Sequence, residues 1–166
     1  MHTKVQRFGL ATLTMAALAL AAGPAHAAKS TITLSFEDQS SPLSAYSWGA
    51  SNTGTSHSGG GAGTGKVSVG DLSVTKETDA MTPSLVRAVA TGEHFQQVAV
   101  QFTNGIFTTS YCLKDALVTS VSNSASAGAE RPFDSVSFSF ASFTFKVGTT
   151  AFTFNVVENA PGTNPC

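Results

Sequence analysis

Three groups of residues in this chain have types and spacings that could do chemistry. The run Gly60-Gly61-Ala62-Gly63-Thr64-Gly65-Lys66 has the spacing of a phosphate-binding loop, whose backbone N–H groups and lysine would cradle phosphates. The next position defeats that reading. Val67 stands where a Ser or Thr would hold magnesium, and strand-like alternation follows where a helix N-terminus should receive the phosphates. His57 and His94, with Asp71, Asp79 or Asp115 and a nearby serine, are the raw material of a hydrolase. No Gly-x-Ser-x-Gly elbow, His-Glu-x-x-His pair or other histidine pair at ligand spacing accompanies them. The histidines therefore read as solvated or capping groups, and no catalytic residue, cofactor or metal is expected. The third group is Cys112 and Cys166, the two cysteines of the chain. In an oxidising compartment they are candidates for one disulfide. The alternative is a buried thiol at Cys112 and an unpaired Cys166 on a loose tail, because sequence does not supply the Cα separation.

The elements that must position these residues are mostly strands. Residues 31–36 alternate apolar and polar, with Ile32, Leu34 and Phe36 on one side. Residues 43–51 read as a second strand carrying Tyr46 and Trp48, and residues 52–65 as a glycine-rich loop. Alternation resumes over 66–75 and changes phase at Gly70-Asp71, as a bulge or tight turn requires. Residues 97–102, 106–113 and 116–122 predict three more strands, with a hairpin at Asn104-Gly105. Residues 123–131 read as a loop. Over 134–147, Phe138 and Phe140, then Phe143 and Phe145, keep strand spacing with a one-residue slip between the pairs, predicting a bulge in one long strand. Residues 151–157 form the last strand. One helix is predicted from Thr82 as cap, through Pro83 at the first helical position, to Gly92 as stop, with Leu85, Val86, Val89 and Ala90 on one face. It is too short to stand alone and must lie on the sheet.

Composition agrees. Of 166 residues only 11% are charged, while Ser, Thr, Gly and Phe are abundant, which suits half-buried strands and excludes a helical bundle. The formal charge is −1 and no basic block exists to neutralise phosphates, so nucleic acid is excluded as a partner. The start is short and basic; an apolar stretch and Ala25-His26-Ala27 follow, the pattern of an export signal cleaved between Ala27 and Ala28. That stretch is interrupted and shorter than the ~20 residues of a membrane span. The expected organisation is a signal peptide over 1–27, a single domain over 28–158 and an extended tail over 159–166, with the mature protein secreted or periplasmic.

Several segments then resemble one family in order and spacing. They are Tyr46-Ser47-Trp48-Gly49-Ala50-Ser51; the loop Ser56-His57-Ser58-Gly59-Gly60-Gly61-Ala62-Gly63; the run Gly65-Lys66-Val67-Ser68-Val69-Gly70-Asp71; and Thr82-Pro83-Ser84-Leu85. Residues 117–122, Glu130-Arg131 and the paired-Phe strand continue the likeness, which covers about residues 46–145. These segments resemble the haemolysin-coregulated protein (Hcp) family, the tube proteins of type VI secretion. The resemblance implies a small β-barrel of seven to eight strands with one flanking helix, a hexameric ring stacking into a tube, and protein effector cargo. It assigns structural roles to Tyr46, Trp48, Gly59, Gly60, Gly61, Gly63, Lys66, Asp71, Thr82 and Pro83. Two differences stand out: tube-building members carry no signal peptide, and residues 37–45 are short here, without the family's Gly-Glu-Ser motif and long extended loop. The expected function is thus a structural, ring-forming subunit; the alternative is a secreted monomeric β-domain acting as a binding module.

Overall fold

The computed structural model describes residues 29–54 and 65–163. The expected signal peptide, most of the glycine loop (Gly59, Gly60, Gly61 and Gly63 included), His57 and Cys166 lie outside the described residues. In chain order the elements are β1 (Thr31–Phe36), β2 (Gln39–Pro42), β3 (Ala45–Ser47), β4 (Ala50–Asn52), β5 (Val67–Val69), β6 (Leu72–Glu77), α1 (Thr82–Thr91), β7 (His94–Asn104), β8 (Phe107–Ser124), β9 (Phe133–Val147), β10 (Thr150–Asn155) and β11 (Ala160–Pro161). The protein is mainly β with one flanking helix.

Antiparallel pairing runs β11-β10-β9-β8-β7-β1-β2, and β6 branches from β9 to pair with β3. One extended run brings the two margins together. Leu43 N–H bonds to Ile32 O and Ser44 N–H to Thr75 O, both at 2.8 Å, so residues 39–47 bond first to β1 and then to β6. The wall is barrel-like without being one unbroken ladder. Alternate side chains point inward, and Leu34, Leu72, Leu113, Val98, Val136 and Phe138 are all fully buried. Each contributes roughly 1.5–3 kcal/mol by leaving water. Leu85 and Ala88 of α1 join the same core, which is how a ten-residue helix persists.

Several boundaries depart from the sequence reading. The strand expected at 43–51 is two short pieces, β3 and β4, in different sheets, because the chain leaves β6 after Ser47 to form the separate β4-β5 ribbon. The strands expected at 106–113 and 116–122 are one strand, β8; Asp115 takes a positive φ of 50°, yet its neighbours Lys114 and Ala116 both stay in register with β9. The slip expected between Phe140 and Phe143 is not a bulge: register with β8 is kept across it, from Ala116 opposite Phe140 to Leu113 opposite Phe143, and it faces the positive-φ Asp115. The register shift of this pair lies elsewhere, between Val118 and Ser120 of β8. β9 stays continuous because its first half pairs with β6 and its second half with β10. The predicted hairpin is present: Asn104 pairs with Phe107 around Gly105 and Ile106, and Gly105 has φ +58°, which its missing Cβ permits. The expected tail includes β11, paired with β10. With these short pieces there are eleven described strands.

Candidate functional site

The polar centre of the molecule is a buried network. Leu72, Val74 and Lys76 occupy successive inward positions of β6, and inward alternation on β9 likewise places Asp134 ahead of Val136 and Phe138. Lys76 and Asp134 are register partners and neither is exposed. Lys76 Nζ lies 2.7 Å from Asp79 Oδ1, 3.3 Å from Asp134 Oδ2, 3.2 Å from Thr82 Oγ1 and 2.8 Å from the Glu77 carbonyl. Asp134 also accepts from Thr78 Oγ1 at 2.9 Å, from Asn123 Nδ2 at 2.7 Å and from the Thr82 hydroxyl. Asp79 accepts from Ser41 Oγ at 2.5 Å and from Met81 N–H at 2.9 Å. One cluster therefore ties β2, β6, β8, β9 and the start of α1 together.

Burial pushes both carboxyl groups up, since it penalises the charged form. For Asp79 the bonds from Lys76, Ser41 and Met81 outweigh burial; for Asp134 those from Thr82, Asn123, Thr78 and Lys76 do so. Both sit below the ordinary carboxylate value and remain ionised. A satisfied ion pair of this kind holds elements in one arrangement and offers no free group for catalysis.

Thr82 is not the helix cap. Met81 occupies that position without a side-chain cap bond, and the Thr82 hydroxyl is drawn into the network instead, where a buried carboxylate needs a donor. Asp79 does the local work, through Met81 N–H on its carboxylate and Thr82 N–H on its carbonyl at 3.2 Å. With Met81 as cap, Thr82 takes the first helical position and Pro83 the second, one later than expected, and Gly92 closes the helix in the left-handed region.

A second feature is aromatic. Trp48 packs 4.8 Å from Phe143 and 5.6 Å from Tyr111, centroid to centroid, and Tyr111 lies 4.7 Å from Phe145 and 5.7 Å from Tyr46. The β4-β5 ribbon lies over this group and leaves an apolar hollow of about 250 Å³, lined by Trp48, Val67, Val69, Phe143 and Phe152 among others. Trp48 Nε1 is buried without an acceptor. At one end of the barrel, Ile106, Phe107 and Val147 are exposed, and Gly148 N–H to Thr108 O at 3.0 Å joins their two hairpins.

The remaining predicted residues are dispersed. His94 pairs with Asp115 at 2.7 Å, both well exposed. Asp71 accepts from Thr119 Oγ1 at 2.6 Å and so fastens the bulged residue of β8 beside the Gly70 turn. Lys66 directly precedes β5, so the glycine run leads into a strand. Cys112 is disulfide-bonded. Among the described residues no cluster of three or more His, Cys, Asp or Glu could hold a metal ion, and no helix is long and apolar enough to cross a membrane. Sequence reasoning missed Lys76, Asp134 and Thr119. The visible signal was a charge at an inward position, Lys76 after Leu72 and Val74, and Asp134 before Val136.

Comparisons with known proteins agree with this architecture. The family described as "Type VI secretion system effector, Hcp" matches residues 30–147. Protein hcp1 of Pseudomonas aeruginosa is 42% identical over 81 residues, covering 46% of this chain and 50% of that protein; the chain thus spans about half the length of this curated relative. A solved type six secretion system protein superposes with TM-score 0.70 at 20% identity, covering 80% of this chain and 99% of the other. Hcp1 from Salmonella typhimurium gives 0.65 at 21%, with coverages of 80% and 99%; these two likenesses concern the fold. With the family match extending from just before β1 to the last residue of β9, the chain belongs to the Hcp family of type VI secretion.

Proposed function

We propose that this protein is a structural subunit of a type VI secretion tube, that six copies close into a ring, and that rings stack with protein effector cargo in the lumen. The observation that carries this reading is the family match over residues 30–147. The surface supports it. Few charges keep neighbouring sheets apart, and β10 pairs with β9 on one side while only Phe154 and Asn155 meet β11 on the other. Phe152 stands exposed on that strand. An open edge beside exposed aromatic surface is an aggregation hazard unless another copy covers it. A head-to-tail contact whose rotation closes removes the hazard in a ring, and stacking of rings makes a tube. The exposed Ile106, Phe107 and Val147 at one barrel end suit the stacking contact. Residues 37–45 are short, so ring closure is the stronger of the two contacts.

Export completes the proposal: residues 1–27 direct the chain out of the cytoplasm and are removed at Ala27/Ala28, leaving the domain and tail proposed from 28 onward. The protein acts without a cofactor and is not an enzyme. Sedimentation and electron microscopy of the protein beginning at Ala28 test the assembly. Rings in dilute solution and tubes on concentration are expected. A monomer throughout the micromolar range would overturn it in favour of a solitary binding module.

A further inference from the structure

Charge is divided unevenly along the long strands. Residues 29–35, 98–113 and 143–155 form the end that carries the hairpin turns after Asn104 and Val147. Their only charged side chains are Lys29 and Lys146, both exposed. Among the described residues, every acidic side chain except Asp71 and Glu158 lies towards the other end, in residues 36–38, 76–97 and 114–136. Glu37, Asp38, Glu77, Asp115 and Glu130 are exposed there. Cations offset them poorly, since Arg87 is engaged by Glu93 at 3.2 Å and Lys76 is sealed in the buried network. The hairpin end is therefore positive and the far end negative.

Each end also has an apolar centre. At the hairpin end Ile106 is fully exposed, beside Phe107 and Val147. At the far end α1 turns Leu85 and Ala88 into the core and leaves Val86 and Val89 exposed, with Pro83 and Ala90 exposed on the same flank. Thr82 at the start of the helix bonds to Asp134, the register partner of Asn123, and His94 just beyond its end pairs with Leu117. The helix thus belongs to the 117–123 half of β8, about 30 Å along that strand from Phe107. The acidic groups gather beside it. Gln39 Nε2 reaches Ser84 Oγ at 3.3 Å, Glu37 and His94 line one cleft, and His94 holds Asp115 at 2.7 Å.

We infer that these two ends bind each other in successive copies of the chain. The Ile106, Phe107 and Val147 tip of one copy rests on the Val86 and Val89 flank of α1 in the next, with Lys29 and Lys146 facing Glu37, Asp38 and Asp115. The inference rests on the ring-and-tube reading and specifies its stacking contact. An apolar centre inside a charged rim is the anatomy of a specific interface, and two unlike surfaces make a head-to-tail contact. Like ends repel, because hairpin on hairpin sets lysines against lysines and helix on helix sets carboxylates against carboxylates. Charge therefore fixes the polarity of the stack. These groups are exposed and their attraction is screened beyond about 10 Å at 0.1 M salt, so salt should part the rings without opening them.

The test sediments and images the chain from Ala28 at about 20 mM and about 0.5 M sodium chloride. High salt should raise the concentration at which half the protein is stacked by about tenfold or more. Lys29→Glu with Lys146→Glu makes both ends acidic, and Glu37→Lys with Asp38→Lys makes the helix end basic like the other. Neither variant should stack alone at low salt, whereas an equimolar mixture should stack, which also shows that both variants fold. Stacking of the unaltered protein that ignores salt, or a mixture that stays unstacked, would overturn the contact. Rings that form but never stack overturn it and leave ring closure standing; single chains that join head to tail without closing overturn the ring and leave the contact.

Discussion

Replacing Lys76 by Met removes the one cation from a cluster whose other charged member in the interior, Asp134, has no exposed surface. The side chain keeps its bulk and apolar stem, so the effect isolates the charge. Breaking a fully buried pair by deleting one partner costs about 3–5 kcal/mol. The low end applies, because Thr78, Thr82 and Asn123 still donate to Asp134 and Asp79, partly exposed, can recover water. A loss of about 3 kcal/mol corresponds to a Tm lower by about 12 °C for a domain of this size. Asp134→Asn should lose about 2 kcal/mol: Lys76 keeps Asp79 at 2.7 Å, and the amide oxygen still accepts. The double variant K76M/D134N should fall short of the summed losses by about 2 kcal/mol, since each change removes the charge the other leaves stranded. Urea unfolding followed by circular dichroism measures all three. A loss below about 1 kcal/mol for Lys76→Met, or strict additivity, would refute the argument that the pair is buried and coupled.

Acid should weaken the same cluster. Asp79 and Asp134 have folded values below the ordinary 3.8, so their stabilisation is present above that value and lost as pH falls through the lowered folded ones. The urea midpoint should therefore drop between about pH 4 and about pH 2, and less steeply in Asp134→Asn. Trp48→Phe should cost less than about 1 kcal/mol because it removes a buried donor that has no acceptor, whereas Trp48→Ala should cost about 3–5 kcal/mol; paired urea titrations distinguish them. Gly65→Ala brings a Cβ within 2.2 Å of the Gly54 backbone nitrogen. It should open the β4-β5 ribbon, seen as faster exchange over Val67–Val69, with the barrel's Tm changed by less than about 3 °C.

What the sequence determined by itself was set by local rules. Alternation at Ile32, Leu34 and Phe36 delimits β1 as Thr31–Phe36, because a side chain's face depends only on its parity along an extended chain. Pro83 and Gly92 bracket a helix observed at Thr82–Thr91, and the break at Gly70-Asp71 separates β5 from β6, each through dihedral preferences of single residues. The family resemblance was legible because glycine run, strand and helix opening recur in order, and the match over residues 30–147 bears it out. Tertiary structure decided what depends on a partner strand. The phase slip in the Phe pairs does not mark the bulge of the β8-β9 pair; only pairing puts the extra residue at Thr119, opposite Phe138 and Ser137, where Asp71 and the Ser137 carbonyl hold its hydroxyl. A lysine at an inward position reads as an error of alternation until Asp134, 58 residues away, supplies the opposing charge. Thr82 has the side chain of a cap, but a buried carboxylate offers its hydroxyl a stronger bond than the helix end does. Parity and dihedral preference are properties of neighbours in the chain; the placement of the bulge and the pairing of the buried charges exist only after distant strands meet.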